Sequence, residues 1–358
     1  MPTEAPAPAA LLSPTPERMT AWTTRGDGIA ALTATTVPVP TPGPTEVLVR
    51  ISAVALNYRD LLVIGGTDGW RPAGPVVPIS DGVGHVVATG SEVHRWRRGD
   101  RVSAPFLPFW RSGRLTRATY VTPTGGPVNR GMLAEYVTMD QDQAIRAPSH
   151  LDDVHAAAVP VAAVTAWHAV ARRSRVQAGE TVLIHGTGGV ALFATQIALA
   201  LGARPIVTSS SDEKLARVRA LGAIETVNYR RTPEVAAEVL ALTGGDGVDH
   251  VIETVGGANL DVSLASVRIG GTISMIGLIA GLAASVNIYE FVTKNVTVHG
   301  IETGSLEMHD EVAAFIDEHR LVPLLDSVHP VGHVQEALRH LESGAHLGKI
   351  VVTVAATM

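Results

Sequence analysis

Three glycines lie where a predicted strand passes into a predicted helix, in the segment VLIHGTGGVALFATQIALALGA at residues 182–203. From Gly186 to Ala191 the spacing is G-x-G-x-x-A. In nucleotide-binding folds the first glycine makes a tight turn, the second lets backbone N–H groups approach a pyrophosphate, and the third small residue lets helix and strand pack closely. The segment therefore predicts a dinucleotide site. The alternative is a glycine turn between two core elements.

The end of the next predicted strand bears on which dinucleotide this turn would bind. NAD-dependent enzymes usually carry Asp or Glu about 20 residues further on, where the carboxylate holds the ribose 2′-hydroxyl. This chain has three serines at 209–211 instead, and Lys214 follows one helical turn later. A carboxylate would repel a 2′-phosphate by about 4 kcal/mol at 4 Å and an effective dielectric of 20. The segment predicts NADPH. The alternative is that the serines only cap the helix beginning at Asp212, and the acidic pair Asp212 and Glu213 lies close by.

A second stretch, AVALNYRDLLVIGG at residues 53–66, presents four polar side chains directly after a predicted strand. They are Asn57, Tyr58, Arg59 and Asp60. A carboxamide, a phenol, a cation and a carboxylate can together orient a nicotinamide amide and deliver a proton. They can equally form the capped and salt-bridged start of a helix, and the spacing alone leaves both interpretations open.

The composition restricts the class of protein. The 358 residues exceed the usual size of a single core, so we expect two domains. With 46% hydrophobic and 17% charged residues, the chain has the composition of a globular enzyme and not of a disordered protein. The net charge of −6, without a basic block, argues against a nucleic-acid partner. There are no cysteines, which excludes disulfides, thiolate catalysis and zinc sites built on cysteine.

Targeting and membrane signals are also lacking. The chain has no apolar run long enough to span a bilayer and no signal-peptide pattern, so we expect no membrane association and a cytoplasmic location. Residues 1–18 are rich in proline and alanine and are predicted to form a disordered leader.

The pattern of predicted elements changes near Leu151. From Thr20 to about Pro148 the chain reads as short strands with many turns, whereas from 151 to 300 apolar strands alternate with amphipathic helices. Such alternation predicts a parallel sheet with helices on both faces. After Gly300 a helix and a last strand close the chain. In the alternating region we predict strands at 181–185, 205–208, 226–228, 250–253 and 272–276, and helices at 212–221 and 233–242.

Taken in order, these features resemble the medium-chain dehydrogenase/reductases, in their zinc-independent, quinone-oxidoreductase-like branch. The resemblance extends from Thr20 to the end of the chain. It implies an α/β protein with a GroES-like β-barrel catalytic domain at residues 19–150 and 301–358, and a doubly wound Rossmann NADP-binding domain at 151–300. The motifs that carry it, besides the glycine segment, are LNYRD (56–60), GDRV (99–102), GMLAEYV (131–137), VTAWHAV (164–170), VIETVGG (251–257) and HLGKIVV (346–352).

The same resemblance shows which metal ligands are missing. Zinc alcohol dehydrogenases of this family place a cysteine where Asn57 stands, a His-Glu pair where Ser80 and Asp81 stand, and a third ligand, a cysteine, near Val161. They also carry four cysteines in a lobe corresponding to about residues 103–130. We therefore expect no zinc. Alcohol oxidation is not expected either, since no metal would stabilise an alkoxide.

The remaining chemistry is hydride transfer from NADPH to a quinone or to an activated, α,β-unsaturated carbonyl double bond. The resemblance implies that Asn57 lies near the nicotinamide and the acceptor, with Asp60 as a neighbouring polar residue. Tyr58 is the candidate proton donor, and solvent is its rival. The implied cofactor residues are Gly186, Thr187, Gly188, Gly189 and Val190 at the pyrophosphate, Ser209, Ser210, Lys214 and Tyr229 around the 2′-phosphate, and Thr165, Thr254, Gly277 and Lys349 as further candidates.

Two other functions stay open. An enoyl-thioester or polyketide-type enoyl reductase would need a basic docking patch, for which the arginines at 111, 114 and 117 form the local cluster. Against it, the tyrosine that mitochondrial-type enoyl reductases carry about eleven residues after the equivalent of Asn57 is matched by Asp68. A crystallin-like NADPH-binding protein with little turnover is the alternative of another class.

Two further expectations concern surfaces. The segment 105–127 is predicted either to wall the substrate pocket, with Phe106, Phe109, Trp110 and Arg111, or to make subunit contacts. Members of the family commonly form homodimers. The resemblance therefore implies a homodimer for this protein, which we expect to form through edge strands near residues 273–288.

Overall fold

The computed structural model describes residues 14–223 and 225–354, which belong to two compact units. The first unit takes in Met1–Val161 and Ser305–Met358, and the second is Ala162–Gly304. The sequence placed these divisions at 150/151 and 300/301. Residues 1–13 of the predicted leader lie outside the described residues. Its last residue, Arg18, was wrongly included, because it pairs with Pro38 as the start of the first strand.

The strands and helices are numbered in chain order. The strands are β1 (Arg18–Thr23), β2 (Thr33–Pro38), β3 (Glu46–Ala55), β4 (Asp81–Thr89), β5 (Arg101–Ser103), β6 (Tyr136–Asp140), β7 (Ile145–Arg146), β8 (Thr181–His185), β9 (Arg204–Ser209), β10 (Glu225–Asn228), β11 (Val248–Glu253), β12 (Val267–Met275), β13 (Thr297–Gly300), β14 (Leu325–Pro330) and β15 (Lys349–Thr353). The α-helices are α1 (Tyr58–Gly65), α2 (Asp153–Ala157), α3 (Pro160–Trp167), α4 (Gly189–Ala200), α5 (Asp212–Ala220), α6 (Val235–Leu242), α7 (Asn259–Ser266), α8 (Ile288–Thr293), α9 (Leu306–Glu318) and α10 (Val334–Glu342).

The first unit is built on a seven-stranded sheet of order β14-β15-β3-β4-β5-β7, in which β6 also pairs with β3, and on the separate hairpin β1-β2. The long strand β3, EVLVRISAVA, is almost entirely buried. Its valines and isoleucine favour the extended conformation and fill the core on the sheet. They pack with core residues that include Val86, Leu133 and Leu338.

Three strands bring chemistry-bearing residues to one edge of this sheet. The strand β3 ends at Ala55, which faces Val351 of β15 on one side and Asp81 of β4 on the other. Both neighbours run antiparallel to β3, so they begin where β3 ends. This register puts the first residues of β15 and β4, Lys349 and Asp81, beside the residues that follow β3.

The second unit is a six-stranded parallel sheet of order β10-β9-β8-β11-β12-β13. Renumbered from β8, this is the order 3-2-1-4-5-6 of a doubly wound nucleotide-binding sheet, which confirms the predicted fold class. The five predicted strands correspond to β8–β12, and 181–185 has the bounds of β8 itself. The edge strand β13 was not predicted, because its four residues, TVHG, carry no buried pattern.

Among the described residues, no helix has the length and apolarity needed to cross a membrane.

Candidate functional site

The glycine turn of the second unit lies between β8 and α4. Gly186 has a φ of +86°, a left-handed conformation that favours glycine. Gly188 caps α4, which begins at Gly189, and a Cβ added to Gly188 would meet no atom within 4 Å. A ligand can therefore approach the backbone of the turn closely at Gly188. The first N–H groups of α4 supply the positive end of a twelve-residue helix, which suits a pyrophosphate.

A buried polar network lies beside this turn, at the carboxyl ends of β8 and β11. The carboxylate of Glu253 accepts hydrogen bonds from the backbone N–H groups of residues 255 and 256 at 2.7 and 3.0 Å, from Asn259 at 2.7 Å and from the Ser263 hydroxyl at 2.5 Å. The Ser263 Oγ lies 3.1 Å from Nε2 of His185. Burial lowers the pKa of His185, so the imidazole is neutral at pH 7.

This network holds two of the predicted cofactor residues. Thr254 follows Glu253 and donates its hydroxyl proton to the carbonyl oxygen of His185, at the start of the glycine turn. Gly277 donates its N–H to the carbonyl oxygen of Glu253 at 2.9 Å, and a Cβ added to it would lie 2.0 Å from the carbonyl carbon of Thr254. Glycine is thus required at 277 by the close approach of two strand ends.

Sequence reasoning missed Glu253 and His185 as parts of the site. The available signal was their position, since each is a polar residue that ends a parallel strand directly after a run of apolar residues. Of the other predicted cofactor residues, Thr187 is buried within the turn, Val190 is the second residue of α4, and Thr165 is buried in α3.

The three serines at the end of β9 have different roles. Ser209 ends the strand, and its backbone carbonyl accepts the N–H of Tyr229, so these two predicted residues lie together. Ser211 caps α5, its Oγ accepting the N–H of Lys214 at 3.3 Å. The capping alternative is therefore confirmed for Ser211. The half-buried Ser210 lies between the strand end and the cap.

The nearby acidic residue Asp212 is engaged within the second unit. Its Oδ1 accepts a hydrogen bond from Asn228 at 2.7 Å, and its Oδ2 pairs with the Arg231 guanidinium at 2.5 Å. Both partners draw this carboxylate toward the loop after β10. At the end of β9 itself stand Ser209, which is buried, and Ser210, which is half-buried.

In the first unit, the Lys349 ammonium is buried at the edge where β3, β4 and β15 meet. It donates hydrogen bonds to the carbonyl oxygen of Leu56 at 2.9 Å, to Oδ1 of Asn57 at 2.7 Å and to Oδ2 of Asp81 at 3.0 Å. The other carboxylate oxygen of Asp81 accepts the N–H of Val161 at 3.0 Å. The sequence placed Lys349 among the cofactor residues, and the structure brings it together with Asn57.

Asp60 contacts groups of its own unit on both carboxylate oxygens. One oxygen accepts the backbone N–H of Asn57 at 2.8 Å and so caps α1, while the other accepts the N–H of Ser80 at 3.2 Å and its hydroxyl at 3.3 Å. Burial raises the pKa of Asp60, and the Arg59 guanidinium opposes the rise. Of the two interpretations that the sequence left open, Asp60 therefore follows the one in which it caps the start of a helix. The side chain of Asn57 also joins Lys349 to Ser80, its Oδ1 accepting from Lys349 and its Nδ2 donating to Ser80 Oγ at 3.3 Å.

The residue before Ser80 adopts an unusual conformation. Ile79 is fully buried and has a φ of +71°, which is rare and strained for a β-branched residue. Such strain persists only where the surroundings over-determine it, and it concentrates at functional sites. Here the strained turn directs the N–H of Ser80 to Asp60.

The segment 105–127 packs against the start of α1. The Arg59 guanidinium lies 4.9 Å from the ring centre of Phe106 and donates to the carbonyl oxygens of Thr124 and Gly125. Trp110 is buried, whereas Phe109 is exposed, as is Tyr58 with 42% of its surface accessible. The buried residues give this segment a structural role, and both predicted roles of the exposed part remain predictions.

These side chains do not make a zinc site of the family's kind. The positions of the family's ligands hold an amide, a hydroxyl, a carboxylate and a valine, and both oxygens of the carboxylate are already bonded, to Lys349 and to Val161. Structural and catalytic zinc sites need three or four sulfur, imidazole or free carboxylate donors. A cation is already held here, and it is the lysine ammonium.

Both units resemble known protein families in sequence. Residues 43–149 match the family profile described as alcohol dehydrogenase GroES-like domain, and residues 189–318 match that of zinc-binding dehydrogenase. A zinc-type alcohol dehydrogenase-like protein of Schizosaccharomyces pombe is 38% identical over 87% of this chain and 91% of its own length. A quinone oxidoreductase of Pseudomonas aeruginosa is 36% identical over 69% of each chain.

Solved structures show the same likeness. The crystal structure of a candidate alcohol dehydrogenase from Sinorhizobium meliloti 1021 superposes with a TM-score of 0.90 at 39% identity, covering 95% of this chain and 100% of that one. A 2-octenoyl-CoA carboxylase reductase in complex with NADP and 2-octenoyl-CoA superposes with a TM-score of 0.86 at 26% identity, covering 99% and 92%. With its GroES-like and dehydrogenase domains, the chain belongs to the medium-chain dehydrogenase/reductase family.

Proposed function

We propose that this oxidoreductase is an NADPH-dependent, metal-free reductase of quinones or activated α,β-unsaturated carbonyl compounds. The observation that carries the proposal is the Lys349–Asn57–Asp81 cluster, in which a carboxamide and a carboxylate stand at positions where the family's zinc members carry ligands and both accept hydrogen bonds from a lysine ammonium. The likeness to a quinone oxidoreductase and to an enoyl-thioester reductase bound to NADP supports the same class of acceptor.

The second unit supplies the groups that would hold the cofactor. The open turn at Gly188 and the N-terminus of α4 suit the pyrophosphate, and the hydroxyls at the end of β9 suit a 2′-phosphate. When bound, NADPH supplies the hydride. The hydrogen bonds of Glu253 hold the loop at residues 254–256 in one conformation. Binding of the cofactor would therefore not have to include the entropic cost of ordering this loop.

The first unit supplies the groups that would act on the acceptor. Hydride addition to the β-carbon of an enone shifts an electron pair onto the carbonyl oxygen, which must be stabilised and whose enolate must then be protonated at carbon. The Asn57 carboxamide can donate a hydrogen bond to that oxygen, and the exposed Tyr58 phenol can donate the proton. A quinone takes up the hydride and one proton to become a hydroquinone, for which solvent suffices as the proton source.

The test is NADPH oxidation in chelator-treated buffer with 1,4-quinones, free enones and enoyl thioesters as acceptors. We expect turnover of quinones or enones at a rate unchanged by the chelator, and no zinc bound to the purified protein above the background of the metal analysis. Activity that the chelator abolishes and zinc restores would contradict the metal-free assignment. Binding of NADPH without turnover of any acceptor would favour a binding protein.

A second candidate is an enoyl-thioester reductase. In its favour, a segment amounting to 14% of a mycocerosic acid synthase-like polyketide synthase of Mycobacterium tuberculosis is 31% identical to 87% of this chain. The docking patch proposed for it is weakened, because Arg111 pairs with Asp142 at 2.8 Å. Turnover confined to the thioesters would establish this candidate.

Replacing Tyr58 by phenylalanine separates the two acceptor classes. We expect kcat for enones to fall about 100-fold, the scale of a lost general acid, whereas kcat for quinones stays within about threefold because solvent can protonate a hydroquinone. Steady-state kinetics with one enone and one quinone measure both effects. An equal loss for both acceptors would remove Tyr58 as the proton donor.

The predicted homodimer is proposed to form through exposed apolar side chains of the second unit that lie between β12 and β13 in sequence. They are Ile279, Leu282, Ile288, Tyr289 and Val292. Exposed apolar side chains and an open strand edge, such as that of β13, are both typical of an interface with a second copy of the chain.

Replacing both Leu282 and Tyr289 by glutamate should convert the dimer into a monomer. We expect this because each new carboxylate would be buried without a partner at the interface. Sedimentation velocity over a range of concentrations measures the change. Val128→Glu, at an equally exposed apolar position of the first unit, is the control and should leave the dimer intact. A wild-type protein that is monomeric at every concentration would refute the proposal.

A further inference from the structure

A lysine ammonium is rarely buried, and Lys349 is only 3% exposed. Its three hydrogen bonds satisfy its three protons, and one of its acceptors is the side chain that the proposed function assigns to the acceptor molecule, Asn57. We propose that Lys349 is a positioning residue, which orients and polarises the Asn57 carboxamide so that its Nδ2–H stabilises the oxygen on which negative charge develops. This inference rests on the proposed function.

The orientation of the carboxamide follows from the donors and acceptors around it. An ammonium has no acceptor, so the atom of Asn57 that lies 2.7 Å from Lys349 Nζ must be the oxygen. At the other end, Ser80 donates its own proton to Asp60, so its Oγ must accept from Asn57 Nδ2. Lys349, Asn57, Ser80 and Asp60 thus form a chain of hydrogen bonds that runs in one direction only.

These hydrogen bonds leave one N–H proton of the Asn57 carboxamide available. The Nδ2 group has two N–H bonds, and among the described residues only Ser80 accepts from it. Asn57 is half-buried, so the second N–H can reach a bound molecule. Because hydrogen bonds in a chain polarise one another, a cation on Oδ1 makes this N–H a stronger donor.

The ammonium would supply positive charge near the developing oxyanion, as a metal ion does in the family's zinc-dependent members, but it would act through the Asn57 amide. Asp81 pairs with the ammonium and also accepts the Val161 N–H. Because the carboxylate is itself fixed by this second hydrogen bond, it holds the ammonium in one position. A preorganised donor of this kind needs no reorganisation during the reaction. The arrangement therefore permits oxyanion stabilisation without a metal.

The variants are Lys349→Met, which removes the charge at similar length, Lys349→Arg, which keeps it, and Asn57→Asp, which removes the amide donor. Lys349→Met is also made together with Asp81→Asn, so that no buried carboxylate lacks a partner. The matched control is Lys294→Met, because Lys294 also donates to two carbonyl oxygens and pairs with a carboxylate, Glu290, in the second unit.

The kinetic readouts are kcat with an enone, the deuterium isotope effect from NADPH labelled at C4, and the dissociation constant of NADPH. Removing an oxyanion donor directly costs about 10²–10³ in kcat, so we expect Lys349→Met to lower kcat about tenfold or more. The isotope effect should rise, since hydride transfer becomes slower than product release. The NADPH dissociation constant should stay within about twofold. Lys349→Arg, which keeps the charge but brings a bulkier, planar group into a buried site, should retain only part of the activity.

A readout independent of turnover is the side-chain amide resonance of Asn57 in asparagine-labelled protein, assigned by its loss in Asn57→Asp. We expect Lys349→Met to move this resonance upfield and Lys294→Met to leave it unchanged. An unmoved resonance, or an unchanged kcat and isotope effect, overturns the inference. A weaker NADPH affinity at unchanged kcat would also overturn it and make Lys349 a cofactor ligand. If the wild-type protein reduces no acceptor, the proposed function fails, and the resonance still decides whether Lys349 polarises Asn57.

Discussion

Replacing Ser209 by aspartate is expected to lower kcat/KM for NADPH by about two to three orders of magnitude while leaving NADH within about tenfold. The reason is electrostatic, because a carboxylate 4 Å from a phosphate oxygen costs about 4 kcal/mol at an effective dielectric of 20. Ser209 ends β9 and its Oγ already accepts the N–H of Ser211 at 3.4 Å. An aspartate keeps that acceptor.

The control for this substitution is Ser211→Asp. Ser211 caps α5, and aspartate is an equally good N-cap, so the variant adds the same charge two residues away without loss of the helix start. Steady-state kinetics with both cofactors compare the variants. We expect the change of preference only for Ser209→Asp. An unchanged preference there, or an equal change in both variants, would show that the end of β9 does not bind the 2′-phosphate.

Replacing Asp81 by alanine is expected to destabilise the first unit by about 3–5 kcal/mol, because it leaves the buried Lys349 ammonium without its counter-charge. Both side chains of this pair are almost fully buried, and their N···O distance is 3.0 Å. The Val161 N–H loses its acceptor as well. The shift of the urea midpoint, followed by tryptophan fluorescence, measures the effect, since four of the five tryptophans belong to the first unit.

The double variant Asp81→Ala/Lys349→Met distinguishes loss of charge pairing from loss of packing. Since it removes both charges, it should recover much of the stability that Asp81→Ala loses. Asp27→Ala is the control, because the ion pair of Asp27 with Arg71 is exposed and should be worth less than about 1 kcal/mol. A single variant as stable as the wild type would mean that the ammonium is not held by Asp81.

The spacing of residues along the chain was sufficient to predict the second unit. A strand, a glycine turn and a helix are close in sequence, and the apolar runs that alternate with helices leave few arrangements other than a doubly wound sheet. For this reason 181–185 was predicted as a strand with its observed bounds, and the turn at Gly186–Gly188 was placed correctly. The sequence could predict that one of the three serines caps α5, but it could not tell that this is Ser211, because all three have the same hydroxyl group.

Interactions between distant segments could not be predicted in this way. The edge strand β13 is short and lies at the surface, so its sequence carries no period. His185 and Glu253 are 68 residues apart in numbering, and only the parallel pairing of β8 with β11 brings their side chains to one network.

The sequence by itself determined the family, the alternation of the second unit and the residue types available for chemistry, because these depend on composition and local spacing. Only the tertiary structure decided that Asp60 caps a helix while Asn57 is held by Lys349. Lys349 and Asn57 are 292 residues apart. They meet because β15 and β4 pair with β3 in one register, and a shift of one residue would turn every side chain of a strand to the opposite face.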